Sequence, residues 1–156
     1  MRFAFQVLFL TLAATAASGS SSDSLYELLP EVGQVVAVHL IHIPGTDRYL
    51  YMERPSGYHP DGSRYIAGSF DVASRQWIHL TSPDSLFCAG HTVLSDGRVI
   101  IVGGHVLNAG WPAGIQNIRT YKDGDLGLEY VMTMRYARWY PTATLLPNKQ
   151  VCSHVL

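Results

Sequence analysis

Charged residues are scarce in this sequence. Only 15% of the 156 residues are charged, and 11 Lys and Arg nearly balance 12 Asp and Glu, which gives a formal net charge of −1. Proteins that bind nucleic acid or an anionic membrane surface by electrostatic attraction usually carry a clustered excess of basic residues. The composition therefore argues against both partners, and we expect no nucleic-acid partner.

Cysteine is also scarce, because the chain contains only Cys88 and Cys152. Two cysteines cannot build the network of disulfides that holds small secreted domains together. The sequence leaves two alternatives open for them: a single Cys88–Cys152 disulfide, or two inert buried thiols.

Helical periodicity is missing from the chain beyond its first 20 residues. No later segment repeats apolar residues every 3.6 positions, as an amphipathic helix would. Residues typical of strands and turns are abundant instead, with 11% aromatic residues, among them 9 Tyr and 3 Trp, and 14 glycines. This composition favours sheets joined by many turns, and the predicted fold class is all-β.

The N-terminus has the pattern of a secretory signal peptide, which we assign to residues 1–19. Arg2 is followed by an apolar run over residues 3–14 and by small residues at 14–16. The run is too short, and too soon followed by serine-rich sequence, for a typical spanning helix, although an uncleaved anchor is the alternative. We therefore expect a secreted, extracellular protein with no membrane attachment after cleavage, beginning with a polar spacer at residues 20–30.

A repeat organises the rest of the chain. Residues 87–104 read as an apolar strand, a Ser-Asp-Gly-Arg turn at 95–98, and a second apolar strand that ends in Gly-Gly. Asp-Gly between two apolar runs is a strong hairpin signal, since both residues tolerate positive φ. Residues 139–151 repeat this pattern 52 positions later, and residues 35–52 form an earlier copy. A period near 50 residues is typical of kelch repeats, whose units are four-stranded propeller blades.

The predicted fold is thus an incomplete kelch-type β-propeller over residues 31–151, with about two blades and the start of a third. Residues 152–156 stand where the repeat requires an apolar strand ending in glycine, and we expect them to be an aberrant tail. A propeller needs more blades than this to close its ring. The chain is therefore expected to be a fragment of a longer protein.

Cys88 and Tyr140 occupy equivalent positions of two successive repeats. The first strand of a blade lies nearest the propeller axis, and equivalent positions of neighbouring blades are neighbours around it. The repeat therefore predicts a thiol beside a phenol near one mouth of the central channel. A buried cysteine that packs against the edge of a buried tyrosine is a common core contact and is the plain alternative.

The sequence around these two residues resembles the glyoxal oxidase and galactose oxidase group of copper radical oxidases. The resemblance covers roughly residues 30–151, and its sharpest motifs are Phe-Cys-x-Gly at 87–90 and Arg-Trp-Tyr at 138–140. The aromatic residue after Arg138 and the spacing to the Leu-Pro-Asn turn favour the glyoxal oxidase side. We expect Trp139 to be a packing residue of its blade.

The resemblance implies a function and two site residues. Cys88 would form a thioether with the ring carbon beside the Tyr140 hydroxyl, and Tyr140 would be a copper ligand that carries a stable radical. Enzymes of this group oxidise small aldehydes with O2 to acids and H2O2. Nitrogen and oxygen donors in a tetragonal arrangement suit Cu(II).

The family's other copper ligands, a second tyrosine and two histidines, lie far downstream of the region that this chain matches. Strand alternation argues against nearby substitutes at three positions, His39, His42 and His91. His105 and His154 stay open as ligands, although each is expected to be an ordinary surface histidine. We therefore expect this chain alone to bind copper poorly and to be inactive. The competing hypothesis is a non-catalytic extracellular kelch propeller that binds protein or polysaccharide.

Overall fold

The computed structural model describes residues 37–54 and 62–154, so the predicted signal peptide and polar spacer lie outside the described residues. The described residues contain ten β-strands and no α-helix. No helix long and apolar enough to cross a membrane occurs in this part of the chain. The strands are β1 (His39–His42), β2 (Arg48–Met52), β3 (Ala67–Asp71), β4 (Gln76–Leu80), β5 (Gly90–Val93), β6 (Val99–Val102), β7 (Asn117–Tyr121), β8 (Glu129–Thr133), β9 (Thr142–Leu145) and β10 (Val151–His154).

The strands form two four-stranded antiparallel sheets and one two-stranded hairpin. Strands β1–β4 make the first sheet in sequence order, and β5–β8 make the second in the same order. We call these sheets blade 1 and blade 2. The third unit is the β9–β10 hairpin, which packs against β5. The predicted all-β class is confirmed, with two blade-like sheets and a following hairpin.

The repeat predicted from the sequence is visible in the turns. At the β5–β6 turn, the Leu94 amide donates to the Arg98 carbonyl over 2.8 Å, and Gly97 has a φ of 84°. At the β9–β10 turn, the Leu146 amide donates to the Gln150 carbonyl over the same 2.8 Å. Lys149 takes the left-handed place of the glycine there, with a φ of 66°. The two hairpins therefore share one turn geometry.

The main hydrophobic core joins the two blades. It consists of buried apolar side chains from both sheets and from the segment between them, including Ile41, Leu50, Met52, Leu80, Leu86, Val99, Ile101 and Tyr121. Burying an aliphatic side chain of this size stabilises a fold by about 1.5–3 kcal/mol. The core thus fixes blade 1 against blade 2 and positions the first strands of both blades.

A second, smaller cluster covers blade 1. Trp77 packs against the rings of Tyr51 and Phe70, with centroid distances of 5.0 and 4.5 Å. Because Tyr51 pairs with Gly68 across β2 and β3, its ring lies where a side chain at position 68 would stand. The aromatic cluster holds the strands of this blade together.

The end of the chain pairs regularly as far as it is described. Cys152 and His154, assigned to an aberrant tail, lie in β10 opposite Thr144 and Thr142. The predicted domain limits stay a prediction, and residues 155–156 lie outside the described residues. Cys152 is exposed and Cys88 is buried, and both thiols are free.

Candidate functional site

Cys88 lies in a turn immediately before β5, and its side chain is only 1% exposed. Its φ is 62°, in the left-handed region, and the turn is closed by the Ala89 amide, which donates to the Leu86 carbonyl over 3.1 Å. The repeat in the sequence predicted this residue to lie on the strand itself. That placement is wrong, because the left-handed residue ends the extended backbone. The alternation argument that separated His91 from Cys88 therefore does not apply.

Tyr140 occupies the equivalent turn before β9 and is also left-handed, with a φ of 54°. Its amide donates to the Cys88 carbonyl over 3.0 Å, so the two turns are joined backbone to backbone. A left-handed conformation costs a residue other than glycine about 1–2 kcal/mol. Two such residues in hydrogen-bonded turns form a strained pair, and strain of this kind is concentrated at functional sites.

The close approach of the two turns requires a glycine after Cys88. A Cβ atom at Gly90 would lie 2.2 Å from the Pro141 carbonyl oxygen, which is closer than a side chain can approach. Pro141 is buried against this position. The glycine of the Phe-Cys-x-Gly motif thus allows β5 and the start of the third unit to come together.

The thiol of Cys88 lies near the phenol of Tyr140, and this neighbouring sulfur raises the pKa of the phenol, while the nearby guanidinium of Arg54 lowers it. The two residues differ in solvent access, since Tyr140 is 65% exposed and Cys88 is nearly inaccessible. The sulfur is therefore shielded from solvent, whereas most of the tyrosine is accessible.

Four rings form a continuous series beside this pair, which we call the aromatic row: Phe87, His105, Trp139 and Tyr140. Successive centroids are 5.5 Å apart throughout the row. The rings of His105 and Trp139 are stacked at 22°. Trp139 is 49% exposed, so the expectation that it packs inside its blade is wrong; its ring covers His105 and Tyr140 instead.

Two polar features complete the surroundings of the aromatic row. Arg54 lies over the ring of Phe87, with its guanidinium carbon 5.4 Å from the ring centroid. The backbone amide of Val106 donates to Nδ1 of His105 over 2.8 Å. Because Nδ1 accepts this hydrogen bond, the neutral ring carries its proton on Nε2.

A buried ion pair beneath the site was not predicted from the sequence. Arg119 of β7 is fully buried and pairs with the buried Asp84. The guanidinium also donates to the carbonyl oxygens of Gly103 and Gly114, the latter over 2.8 Å. Burial lowers the pKa of Arg119, and the Asp84 carboxylate acts in the opposite direction. The only signal in the sequence was an arginine at the centre of the strand Asn117–Tyr121.

This ion pair supports the strained turns through the backbone. Arg119 holds the segment at Gly103, where a Cβ atom would meet the Arg138 carbonyl oxygen at 2.4 Å. The next amide, that of Gly104, donates to the same Arg138 oxygen over 3.3 Å. The Arg138 amide in turn donates to the Ile115 carbonyl over 2.7 Å. The segment that carries Trp139 and Tyr140 is thereby anchored to blade 2.

Apart from His105, the histidines considered as ligands lie in three places. His42 is exposed and bonds to the Thr46 carbonyl over 2.8 Å. His154 is exposed near the end of β10. His39 and His91 contact each other, with centroids 5.6 Å apart. Over residues 37–54 and 62–154, no group of three His, Cys, Asp or Glu side chains is placed to hold a metal ion.

No family model and no curated protein matches the sequence. Among solved structures, the chain is similar to a fungal alcohol oxidase of the AA5 family in complex with copper, described as having catalytic diversity. The TM-score is 0.57 and the sequences are 18% identical over 76% of this chain. The match covers 25% of the length of the fungal structure. At this level of identity the comparison shows that the two proteins share an all-β fold over most of the chain.

Proposed function

We propose that this chain is the N-terminal part of a secreted copper radical oxidase of the glyoxal oxidase type, which oxidises small aldehydes with O2 to acids and H2O2. The observation that carries the proposal is the meeting of Cys88 and Tyr140 in two hydrogen-bonded, left-handed turns of successive repeats. The shared fold with a copper-containing fungal alcohol oxidase supports the same class of chemistry.

The buried thiol is suited to a covalent bond with the tyrosine ring. Formation of the thioether joins the Cys88 sulfur to the ring carbon beside the hydroxyl and removes the S–H and C–H hydrogens. With O2 as the acceptor of those two hydrogens, the balanced products are the thioether and H2O2. The sulfur substituent then donates electron density to the ring, so that Tyr140 is oxidised more easily and its radical is spread over more atoms.

Tyr140 would hold copper through its phenolate oxygen, an anionic donor suited to Cu(II). Copper would supply a one-electron acceptor beside the one-electron ring radical, so that together they accept two electrons. The raised pKa of Tyr140 keeps the phenol protonated in the absence of metal. Since a metal ligand must lose its proton, copper binding through Tyr140 is expected to strengthen as the pH rises.

The surrounding residues have separate roles in this proposal. Trp139 covers one side of the Tyr140 ring, where it would shield a radical from solvent. Arg54 favours the phenolate by its positive charge. No group of three His, Cys, Asp or Glu side chains in the described residues is placed to complete a tetragonal Cu(II) site with Tyr140. The 156-residue chain alone is therefore proposed to bind copper poorly and to be inactive.

The experiment is peptide mass spectrometry of the complete gene product after loading with copper in air. The expected result is a joined peptide containing Cys88 and Tyr140, two hydrogens lighter than the sum of its parts. Cys88→Ser and Tyr140→Phe should each abolish it, whereas Cys152→Ser, which alters the exposed cysteine, should leave it unchanged.

Separate peptides in the copper-loaded wild type would contradict the proposal. That result would favour the competing hypothesis, a non-catalytic extracellular propeller that binds protein or polysaccharide. Peroxide production from methylglyoxal by the 156-residue chain itself would contradict a different part of the proposal, the inactivity of this span.

A further inference from the structure

Two histidines meet at the contact between the first strands of blade 1 and blade 2. His39 of β1 and His91 of β5 are half-buried, and their rings are nearly perpendicular at 86° with centroids 5.6 Å apart. They are separated by 52 residues, the same repeat distance that separates Cys88 from Tyr140. The repeat thus brings two imidazoles together just as it brings together the thiol and the phenol.

One ring nitrogen of this pair has no partner within the described part of the chain. Nε2 of His39 is buried and makes no hydrogen bond there. Buried polar atoms in folded proteins are nearly always bonded, to protein or to a bound water or ion. An unpaired nitrogen on an imidazole that contacts a second imidazole therefore points to a bound ligand.

Imidazole is a common nitrogen ligand of metal ions in proteins, and a ring in its neutral form has a free lone pair for this purpose. The environment therefore favours a cation that accepts nitrogen donors.

We infer that His39 and His91 bind a divalent transition-metal ion, Zn²⁺ or Cu²⁺, between blade 1 and blade 2, at a site separate from Tyr140. Metal–nitrogen bonds of about 2.0–2.1 Å put each ring centroid roughly 3 Å from the ion, so two such rings lie up to about 6 Å apart. The observed 5.6 Å falls within that limit. Imidazole donors suit both ions, and solvent would fill the remaining positions.

Such an ion would also join the two sheets. His39 belongs to blade 1 and His91 to blade 2, so one ion bound to both side chains would add a link across the core. An ion that binds the folded state alone stabilises it in proportion to its concentration and affinity. Metal binding and thermal stability are therefore expected to change together.

The test is calorimetric titration of the complete, folded gene product with Zn²⁺ at pH 7.5, with melting curves recorded alongside. His39→Gln and His91→Gln are each expected to weaken binding at this site at least tenfold and to remove the rise in melting temperature. His42→Gln is the matched control, since it alters an exposed histidine of the same strand. Tyr140→Phe should leave this binding unchanged, which separates it from the proposed oxidase site.

Two measurements on the wild type, Zn²⁺ binding and the NMR signals of the histidine rings, test the inference even if a variant misfolds. In nitrogen NMR spectra of the histidine rings, Zn²⁺ should shift the signals of His39 and His91 and leave that of His42 in place. Absence of Zn²⁺ binding, or unshifted His39 and His91 signals, would overturn the inference.

Discussion

The buried ion pair beneath the site gives a sharp prediction about stability. Asp84→Asn keeps the shape of the side chain and removes its charge, which leaves the fully buried Arg119 cation without its counterion. Breaking a buried pair by altering one partner typically costs about 3–5 kcal/mol. Because Arg119 still donates to the backbone oxygens of Gly103 and Gly114, we expect the free energy of unfolding to fall by the lower half of that range, about 3–4 kcal/mol.

Arg119→Met tests the same pair from the other side. It removes the cation and its hydrogen bonds to the backbone. The buried Asp84 carboxylate keeps one hydrogen bond, from the side-chain Nδ2 of Asn117 over 2.7 Å. We expect a loss of similar size for this variant. The double variant Asp84→Asn/Arg119→Met should lose less than the sum of the single variants, since no unpaired charge is left.

The measurement is urea unfolding of the four proteins of this double-mutant cycle, followed by circular dichroism. A loss of about 3–4 kcal/mol is a large part of the 5–15 kcal/mol that stabilises a typical domain, so the midpoint should fall clearly. As a control, Asp96→Asn alters the exposed ion pair with Arg98 and should change the stability by less than about 1 kcal/mol. Additive losses, or a loss below about 1 kcal/mol for Asp84→Asn, would refute the role of this pair.

Three further predictions concern the turns and the blade contact. Gly90→Ala should cost more than about 2 kcal/mol, because its Cβ would lie 2.2 Å from the Pro141 oxygen, and it should also reduce thioether formation; an unchanged melting temperature would contradict this. Lys149→Gly should stabilise the fold by about 1 kcal/mol in urea unfolding, since it relieves a left-handed φ of 66°; a destabilised protein would refute it. The pKa of His39, lowered to about 4, means that the unfolded state binds more protons between pH 6.5 and 4. Stability should therefore fall across that window as the pH decreases, by about 1–2 kcal/mol after allowance for partial exposure, and less so in His39→Gln or His91→Gln.

The hairpins were predictable because their determinants are local. The Ser-Asp-Gly-Arg turn defines a left-handed position at Gly97, and the 52-residue offset carries that geometry to Lys149. The same offset predicted that Cys88 and Tyr140 would be neighbours, since equivalent positions of adjacent blades meet. In both cases a short pattern and a repeat distance were sufficient.

The features that were missed depend on contacts without a local pattern. Arg119 pairs with Asp84, 35 residues earlier in the chain, and neither flanking sequence distinguishes a buried pair from a surface one. Trp139 was expected inside its blade because aromatic residues usually fill such positions. It is exposed and is followed by a left-handed residue, Tyr140, and a backbone conformation of that kind is not marked in the sequence when glycine is absent.

The repeat also offers a way to rebuild the proposed metal site elsewhere. Ala143 of β9 follows His91 by a further 52 residues, and β9 packs directly against β5. An imidazole introduced by Ala143→His would therefore stand beside His91 on the side away from His39. The introduced ring belongs to the third unit and is therefore further from His39, so we do not expect all three rings to bind one ion.

Ala143→His should for this reason rescue the defect of His39→Gln. The double variant keeps His91 and gains a new neighbour for it, so Zn²⁺ affinity should recover to within about tenfold of the wild type. The matched control is Ala143→His combined with His91→Gln, which lacks the shared ring and should stay weak. Calorimetric titration of both double variants decides between the alternatives. Equal weakness of the two would mean that equivalent positions in successive repeats are not interchangeable as ligands, and it would contradict the assignment of His39 and His91 as a repeat-related metal site.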